Sequence, residues 1–231
     1  MYHLIHLSAI CICVLPVIIA QSQGTKWKVW EYPNPRYQKR ECGRKDEDAS
    51  QLICDPDSVI SVDDADEIEK LLENIHENTR CPCQECTDKQ TGYVVMVALM
   101  NNMERIIGGG DSTRARLYDA RVYSYYLSLY WNTTTCKENV LVLYSKNDDM
   151  LYTMTWKNAR KVLTDQIVLD ATIDTRRYFK TNDKAQIGSG LKLLLQEYSD
   201  AFMRTNDDRS KRSPKENRMK KYHQDEPIPV L

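Results

Sequence analysis

The sequence lacks several features that would assign it directly to a functional class. Its 231 residues carry 32 basic and 33 acidic side chains, for a formal net charge of −1. No overall field therefore draws the protein to nucleic acid or to an acidic surface. The four histidines, His3, His6, His76 and His223, are scattered among an apolar N-terminal segment, a predicted helix and the tail. We therefore expect no Ser-His-Asp catalytic set, and the sequence shows no internal repeats.

Long apolar runs are also scarce. Only the segment from Leu4 to Ala20 approaches the roughly 20 apolar residues that a membrane-spanning helix needs. We interpret residues 1–20 as a signal peptide cut near Ala20, where small residues flank the site. Because the segment has no Lys or Arg before its apolar stretch, an uncleaved membrane anchor is the alternative.

Phenylalanine and glycine are few. Against 2 Phe there are 14 Tyr, whose apolar ring and polar tip suit half-buried faces and contact surfaces. Among the 8 glycines, the run Gly108-Gly109-Gly110 lacks the Lys and Ser or Thr of a phosphate-binding loop. We interpret that run as a flexible turn.

Six cysteines remain once Cys11 and Cys13 in the N-terminal segment are set aside, and an even number behind a secretory signal implies disulfides. They are Cys42, Cys54, Cys81, Cys83, Cys86 and Cys136. The three at 81–86 could instead bind zinc, but no fourth ligand is close in sequence and the compartment is oxidising, which favours disulfides.

The central element of the predicted fold is the apolar run from Thr91 to Met100, typical of a strand buried on both faces. Before it, Ser61 and Asp64 form a capping-box pattern that opens a helix over about 62–78. After it, Asp111-Ser112 is a plausible cap for a second helix. That helix carries one face at amphipathic spacing: Ala115, Tyr118, Val122, Tyr125 and Leu129.

Two further strands, 140–144 and 150–156, flank a turn and predict an antiparallel hairpin. A broken helical stretch runs from Ala159 to Lys180, and a strongly amphipathic helix covers Ile187 to Phe202. This order predicts a three-layer α/β/α sandwich with a small mixed sheet. A right-handed crossover should leave the first two strands parallel.

The predicted domain organisation follows from these elements. An extended lead-in marked by Trp27 and Trp30 covers 21–52, and its tryptophans should lie over the domain rather than bind a ligand. The α/β domain covers 53–205, and a disordered basic tail covers 206–231.

The topology constrains the disulfide pairing. The helix at 62–78 is roughly 25 Å long, so Cys54 before it lies far from the linker after it. A disulfide needs Cα atoms within about 7 Å. Because the second strand should run parallel to the first, Cys136 before it lies at the same edge as that linker. By exclusion Cys54 pairs with Cys42, and Cys136 pairs with one of Cys81, Cys83 and Cys86. The sequence does not choose among those three.

Two processing sites are also predicted. Asn132-Thr133-Thr134 is the only N-glycosylation sequon. The paired basic pattern of Arg209, Lys211 and Arg212 fits a furin-like convertase, in a segment too polar to pack.

Several motifs resemble the nematode family of modulators of the levamisole receptor. They are Cys42-Gly43-Arg44, Cys54-Asp55-Pro56-Asp57, the Cys-x-Cys-x-x-Cys cluster at 81–86, and Gly92-Tyr93-Val94-Val95. The resemblance covers about 30–202. It implies an extracellular domain similar to the TPM fold of thylakoid and bacterial phosphatase-like proteins.

The resemblance also implies a function. The family's founding member is an auxiliary protein of a nicotinic acetylcholine receptor at the neuromuscular junction, held by a transmembrane helix after its domain. The tail of this sequence has no apolar span. We therefore expect a secreted or cell-surface, non-enzymatic modulator of a nicotinic-type channel, with contacts made by Tyr-rich and acidic loops.

The alternative is a divalent-metal-dependent phosphatase of TPM type. Such domains carry a run like Asp-Asn-Gly before the second strand and a Gly-rich turn after the third. Here these places read Glu138-Asn139-Val140 and 156–159, which has no glycine for close approach to a phosphate. Asp165 matches the family's acidic position on the next helix.

We expect no catalytic residues and no cofactor. The weak candidates for a metal site are four carboxylates that together could bind Ca²⁺. They are Asp55, Asp57, Glu138 and Asp165. The competing interpretation is that Asp55 and Asp57 cap and turn the chain, while Asp165 is solvated.

Overall fold

The computed structural model describes residues 26–44, 52–79, 92–107, 110–132 and 136–204. The predicted signal peptide, Cys81, Cys83, Cys86, and the tail with its convertase site at Arg209, Lys211 and Arg212 lie outside the described residues.

The main sheet has four strands in the order β2-β3-β5-β6. They are β2 (Ile53–Cys54), β3 (Val94–Met100), β5 (Asn139–Ser145) and β6 (Met150–Thr155). β3 is parallel to β2 and β5, and β5 and β6 form an antiparallel hairpin. The predicted mixed sheet, with parallel first and second long strands, is confirmed. Two short strands, β1 (Lys26–Trp27) and β4 (Asn102–Met103), form a separate parallel pair.

The helices begin where their caps predict. α1 (Val62–Asn78) starts after Ser61, whose Oγ accepts a hydrogen bond from the Asp64 amide at 3.1 Å. α2 (Thr113–Trp131) starts after Ser112. The broken stretch consists of α3 (Asp165–Thr175) with a short 3₁₀ turn on each side, and α4 (Lys184–Met203) ends the described chain.

The helices cover both faces of the sheet. α1 packs against α4, which also packs against α3, whereas α2 packs on β5 and β6. On β6, the Thr153 hydroxyl contacts the Tyr198 hydroxyl of α4 at 2.8 Å. Because side chains alternate along a strand, Tyr152 and Met154 face the α2 side. The predicted α/β/α sandwich is confirmed.

Residues 26–44 pack into this core through Tyr32. Its ring is fully buried, and its hydroxyl lies 2.8 Å from the carbonyl oxygens of both Cys54 and Leu99. Trp131 of α2 donates to the carbonyl of Pro33 at 3.1 Å. Trp27 lies over the domain as expected, but Trp30 is largely exposed.

A disulfide joins Cys42 to Cys54, with their Cα atoms 4.4 Å apart. This is the pairing that the topological argument predicts, and it ties residues 26–44 to the end of β2. Cys136 is also disulfide-bonded. Since Cys42 and Cys54 pair with each other, the partner of Cys136 lies outside the described residues.

Replacing both Cys42 and Cys54 with serine is expected to lower the free energy of unfolding by about 3 kcal/mol, because the bridge closes a short loop in the unfolded chain. The separation of 12 residues sets the size of that loop. Urea denaturation of the double variant and the wild type measures the change. An unchanged midpoint would contradict this role for the bridge.

Candidate functional site

Two edges of the sheet hold the predicted site residues. We call the edge where β2, β3 and β5 end the upper edge, and the edge where β3 and β5 begin the lower edge. Asp55 and Asp57 follow β2 at the upper edge, whereas Glu138 precedes β5 at the lower edge.

At the upper edge, both carboxylates bind backbone amides. Asp55 accepts from the amides of Val59 and Ile60 at 2.8 and 3.0 Å. Asp57 Oδ2 accepts from the Asn101 amide at 2.7 Å and from the indole of Trp27 at 3.0 Å. The Asp55 contacts hold the turn between β2 and α1, whereas Asp57 joins this turn to Asn101, after β3, and to Trp27.

Gly43 explains part of the Cys-Gly-Arg motif at this edge. Its φ of +76° is a left-handed conformation that side chains disfavour, and a Cβ there would lie 2.7 Å from the carbonyl oxygen of Asp55. The Asp55 amide donates to the Cys42 carbonyl at 3.1 Å. Glycine thus allows the disulfide segment to approach β2 closely.

Asp55 has an altered acidity. Burial raises its pKa from 3.8 to about 6, because desolvation outweighs the hydrogen bonds from Ile60 and Val59, and the nearby Asp57 carboxylate adds to the rise. Part of the Asp55 population is therefore protonated in mildly acidic solution.

This shift predicts that stability decreases as the pH rises. A carboxyl whose pKa is higher in the folded state contributes stability that is fully present below pH 3.8 and is lost as the pH rises through about 6. The difference amounts to at most about 3 kcal/mol. Urea denaturation across pH 4–7 should show this slope, and Asp55→Asn should remove it.

Asp63→Asn is the matched control, since Asp63 lies exposed in the first turn of α1. It should leave the slope unchanged. Equal slopes for the wild type and Asp55→Asn would contradict the assignment to Asp55.

At the lower edge, polar groups form hydrogen bonds with one another around the start of β5. Glu138 is buried and accepts from the Cys136 amide at 2.9 Å, while Asn158 donates to the Cys136 carbonyl at 2.6 Å. Asn139 and the Trp156 indole donate to Ser128 Oγ of α2 at 3.1 and 2.6 Å. The residues at the places where TPM phosphatases carry their motifs thus make structural contacts.

The four carboxylate candidates do not form one site. In the sheet register Cys54 pairs with Ala98 and Asn139 with Val94. Asp55 and Glu138 are therefore about six residues apart along the strands, or about 20 Å. Asp165 begins α3, is half-exposed, and pairs with Arg160 at 3.0 Å. Among the described residues, no group of three or more His, Cys, Asp or Glu side chains is placed to hold a metal ion.

The most distinctive surface is the outer side of α2, which we call the aromatic face. Its five large side chains are each 45–52% exposed: Tyr118, Tyr125, Tyr126, Leu129 and Tyr130. The rings of Tyr125 and Trp156 lie 5.8 Å apart, and Lys137 Nζ lies 6.0 Å from the centre of the Trp156 ring. The face therefore continues to the lower edge. These four tyrosines lie on a helix, whereas the sequence predicted contacts through Tyr-rich loops; Tyr37, which is 82% exposed, lies outside the helices.

The amphipathic stripe predicted for α2 points outward. Tyr118, Tyr125 and Leu129 of that stripe are exposed, and α2 instead buries a face of mixed composition. That face comprises Asp119, Ala120, Tyr123, Ser124, Leu127, Ser128 and Trp131. Its small residues let the helix lie close to the sheet. Asp119 is compensated by an ion pair with Arg105 and by the Ile107 amide at 2.7 Å.

Asn132, the predicted glycosylation site, is the exposed residue that ends α2, with a left-handed φ of 43°. This position next to Leu129 and Tyr130 is accessible on the surface. Within the described part of the chain, no helix is long and apolar enough to cross a membrane.

Similarity to one solved structure supports the fold. The N-terminal domain of a protein from P. gingivalis, solved by solution NMR, aligns with a TM-score of 0.53 at 14% identity, over 78% of this chain and 96% of that one. The BA42 protein from Bizionia argentinensis aligns with a TM-score of 0.42 at 15% identity, over 64% and 88% of the two chains. No curated protein matches the sequence. The sequence profile of the family described as modulator of levamisole receptor-1 matches residues 27–149.

Proposed function

This chain belongs to the modulator of levamisole receptor-1 family, and from that premise we propose that it is an extracellular, non-enzymatic auxiliary protein of a nicotinic-type acetylcholine-gated cation channel. The observation that carries the proposal is the family match over residues 27–149, which runs from Trp27 through β5 to the turn before β6. The protein would be secreted, or held at the cell surface through the channel.

The structural contacts at the two edges support a binding role over catalysis. Asp55 and Asp57 are engaged by backbone amides and an indole, and Glu138 is buried against Cys136. These groups stabilise turns, and the aromatic face offers a contact surface on a rigid helix. Carboxylates used for structure, together with an exposed aromatic surface, suit a protein that acts by binding a partner.

The disulfides support an extracellular location. Cys42 and Cys54 are bonded to each other, and Cys136 is also in a disulfide. Stable disulfides are typical of oxidising compartments. The apolar segment from Leu4 to Ala20 and the sequon at Asn132 agree with passage through the secretory pathway.

Coexpression tests the proposal. The full chain is coexpressed in oocytes with a panel of nicotinic-type channels, including one that responds to levamisole, and agonist-evoked currents are recorded. We expect the current from at least one channel to change in size or time course, with no change in a channel of another class. Unaltered currents throughout the panel, together with phosphate release in Ca²⁺ or Mg²⁺ by the purified protein, would favour the phosphatase instead.

A further inference from the structure

The aromatic face has a charge pattern of one sign. α2 contains a single acidic residue, Asp119, which is fully buried and paired with Arg105. The exposed charged residues of α2 are Arg114 and Arg121. Because residues three and four apart are neighbours on a helix, Arg121 lies between Tyr118 and Tyr125. At the lower edge, the exposed Lys137 and Lys157 continue this basic border.

This composition matches the centre of a protein–protein interface. Tyr, Trp and Arg are enriched there, and acidic residues are depleted. Tyrosine supplies a large rigid contact area with a polar tip. Four tyrosines and one leucine in this setting, each about half-exposed, form a continuous surface on a well-anchored helix.

We propose that the aromatic face of α2 docks onto an acidic surface of the extracellular part of the partner channel. The inference rests on the proposed function and assigns its contact surface. Apolar contact through Tyr125, Tyr126 and Leu129 would supply affinity, while Arg114 and Arg121 would select the acidic partner and orient it.

The charges disfavour two occupants that the chain itself could supply. The tail over 206–231 carries seven basic and five acidic side chains, so its net charge is +2. If the tail lay on the aromatic face, its positive net charge would lie beside the basic residues that border this face. A second copy related by a twofold axis would place Arg121 of one copy near basic side chains of the other, which also disfavours association.

The experiment measures co-precipitation of the full chain with the levamisole-responsive channel, and agonist currents in the same cells. The first variant is the triple substitution Tyr125→Ser, Tyr126→Ser, Leu129→Ser, and the second is Arg121→Glu. The three side chains of the first variant are about half-exposed and Arg121 is exposed, so both variants should fold, and urea denaturation checks this. We expect channel binding to decrease more than about tenfold for the triple variant and about tenfold for Arg121→Glu.

The control variants change exposed side chains that lie elsewhere. Tyr37→Ser removes a tyrosine that is 82% exposed in residues 26–44. Lys70→Glu reverses an exposed charge on α1, which lies on the other side of the sheet from α2. Both should bind the channel as the wild type does. Binding of Arg121→Glu should be recovered when an acidic residue of the channel contact is changed to lysine.

The outcomes separate this inference from the proposed function. A wild-type protein that neither binds the channel nor alters its current overturns both. Binding and modulation that survive in the triple variant and in Arg121→Glu overturn the docking surface alone. A concentration-dependent dimer in light scattering that the triple variant abolishes would show that a second copy covers the face, which also overturns the inference.

Discussion

Replacing Tyr32 with alanine is expected to lower the free energy of unfolding by about 3–5 kcal/mol, as for other large buried side chains. The ring is fully buried and packs edge-on against Trp27 at 5.5 Å and beside Trp131 at 5.9 Å. Its loss would leave a cavity between residues 26–44, α2 and the ends of β2 and β3. Urea denaturation of the purified protein measures the change.

Tyr32→Phe separates the hydroxyl from the ring. The phenol has one proton, shared between the carbonyl oxygens of Cys54 and Leu99, both 2.8 Å away. Removing it should cost about 1–2 kcal/mol, because buried carbonyls lose their donor. Tyr37→Ala is the control, since Tyr37 is largely exposed. A loss for Tyr32→Ala that is no larger than for Tyr37→Ala would contradict the role of Tyr32.

The long elements could be predicted because their signals are local. The apolar runs of β3 and β5 are buried along their whole length, and α1 opens at the cap that Ser61 and Asp64 predict. By contrast, β1, β2 and β4 have two residues each. A pair of residues has no periodicity, and such strands form only because a partner strand lies beside them.

The role of Tyr32 could not be predicted for a related reason. Its hydroxyl reaches Leu99, 67 residues away, and nothing in the neighbouring Pro-rich sequence indicates that contact. The disulfide differs, since a helix length, the parallel direction of two strands and a limit on Cα separation excluded the other partners of Cys54.

The orientation of α2 shows where amphipathic spacing misleads. Tyr118, Tyr125 and Leu129 share one face at amphipathic spacing, yet the helix buries another face. That face combines small residues with large ones: Ala120, Ser124, Ser128, Tyr123, Leu127 and Trp131. Small residues allow a close approach to the sheet, and hydrogen bonds from Trp156 and Asn139 compensate Ser128. An exposed apolar stripe on a helix is the feature that points to binding.

The four carboxylates predicted as a metal site do not form one cluster, and the reason is the strand topology. Asp55 and Asp57 follow a strand, whereas Glu138 precedes a parallel one, so they meet opposite edges of the sheet. The sequence carries this information once the strands are known to be parallel. Residue type alone suggested oxygen ligands for Ca²⁺, but it does not show at which edge of the sheet each carboxylate lies.

Arg44 and Glu69 form a buried ion pair whose disruption should have a similarly large effect. Arg44 Nη2 lies 2.9 Å from Glu69 Oε2 and also pairs with Asp66, and the side chains of Arg44 and Glu69 are 7% and 4% exposed. Glu69 also accepts from the Leu52 amide at 3.0 Å. Arg44→Met would leave a carboxylate buried without its cation, at an expected cost of about 3–5 kcal/mol.

The double variant Arg44→Met with Glu69→Gln distinguishes the ion pair from packing. It removes both charges and keeps an acceptor for the Leu52 amide, so we expect it to recover much of the stability that Arg44→Met loses. The control is Lys28→Met in the exposed pair with Glu31, which has the same nitrogen–oxygen distance of 2.9 Å. Because water already solvates that pair, the urea midpoint of Lys28→Met should be close to that of the wild type. Equal shifts for Arg44→Met and Lys28→Met would show that burial of the Arg44 pair contributes nothing.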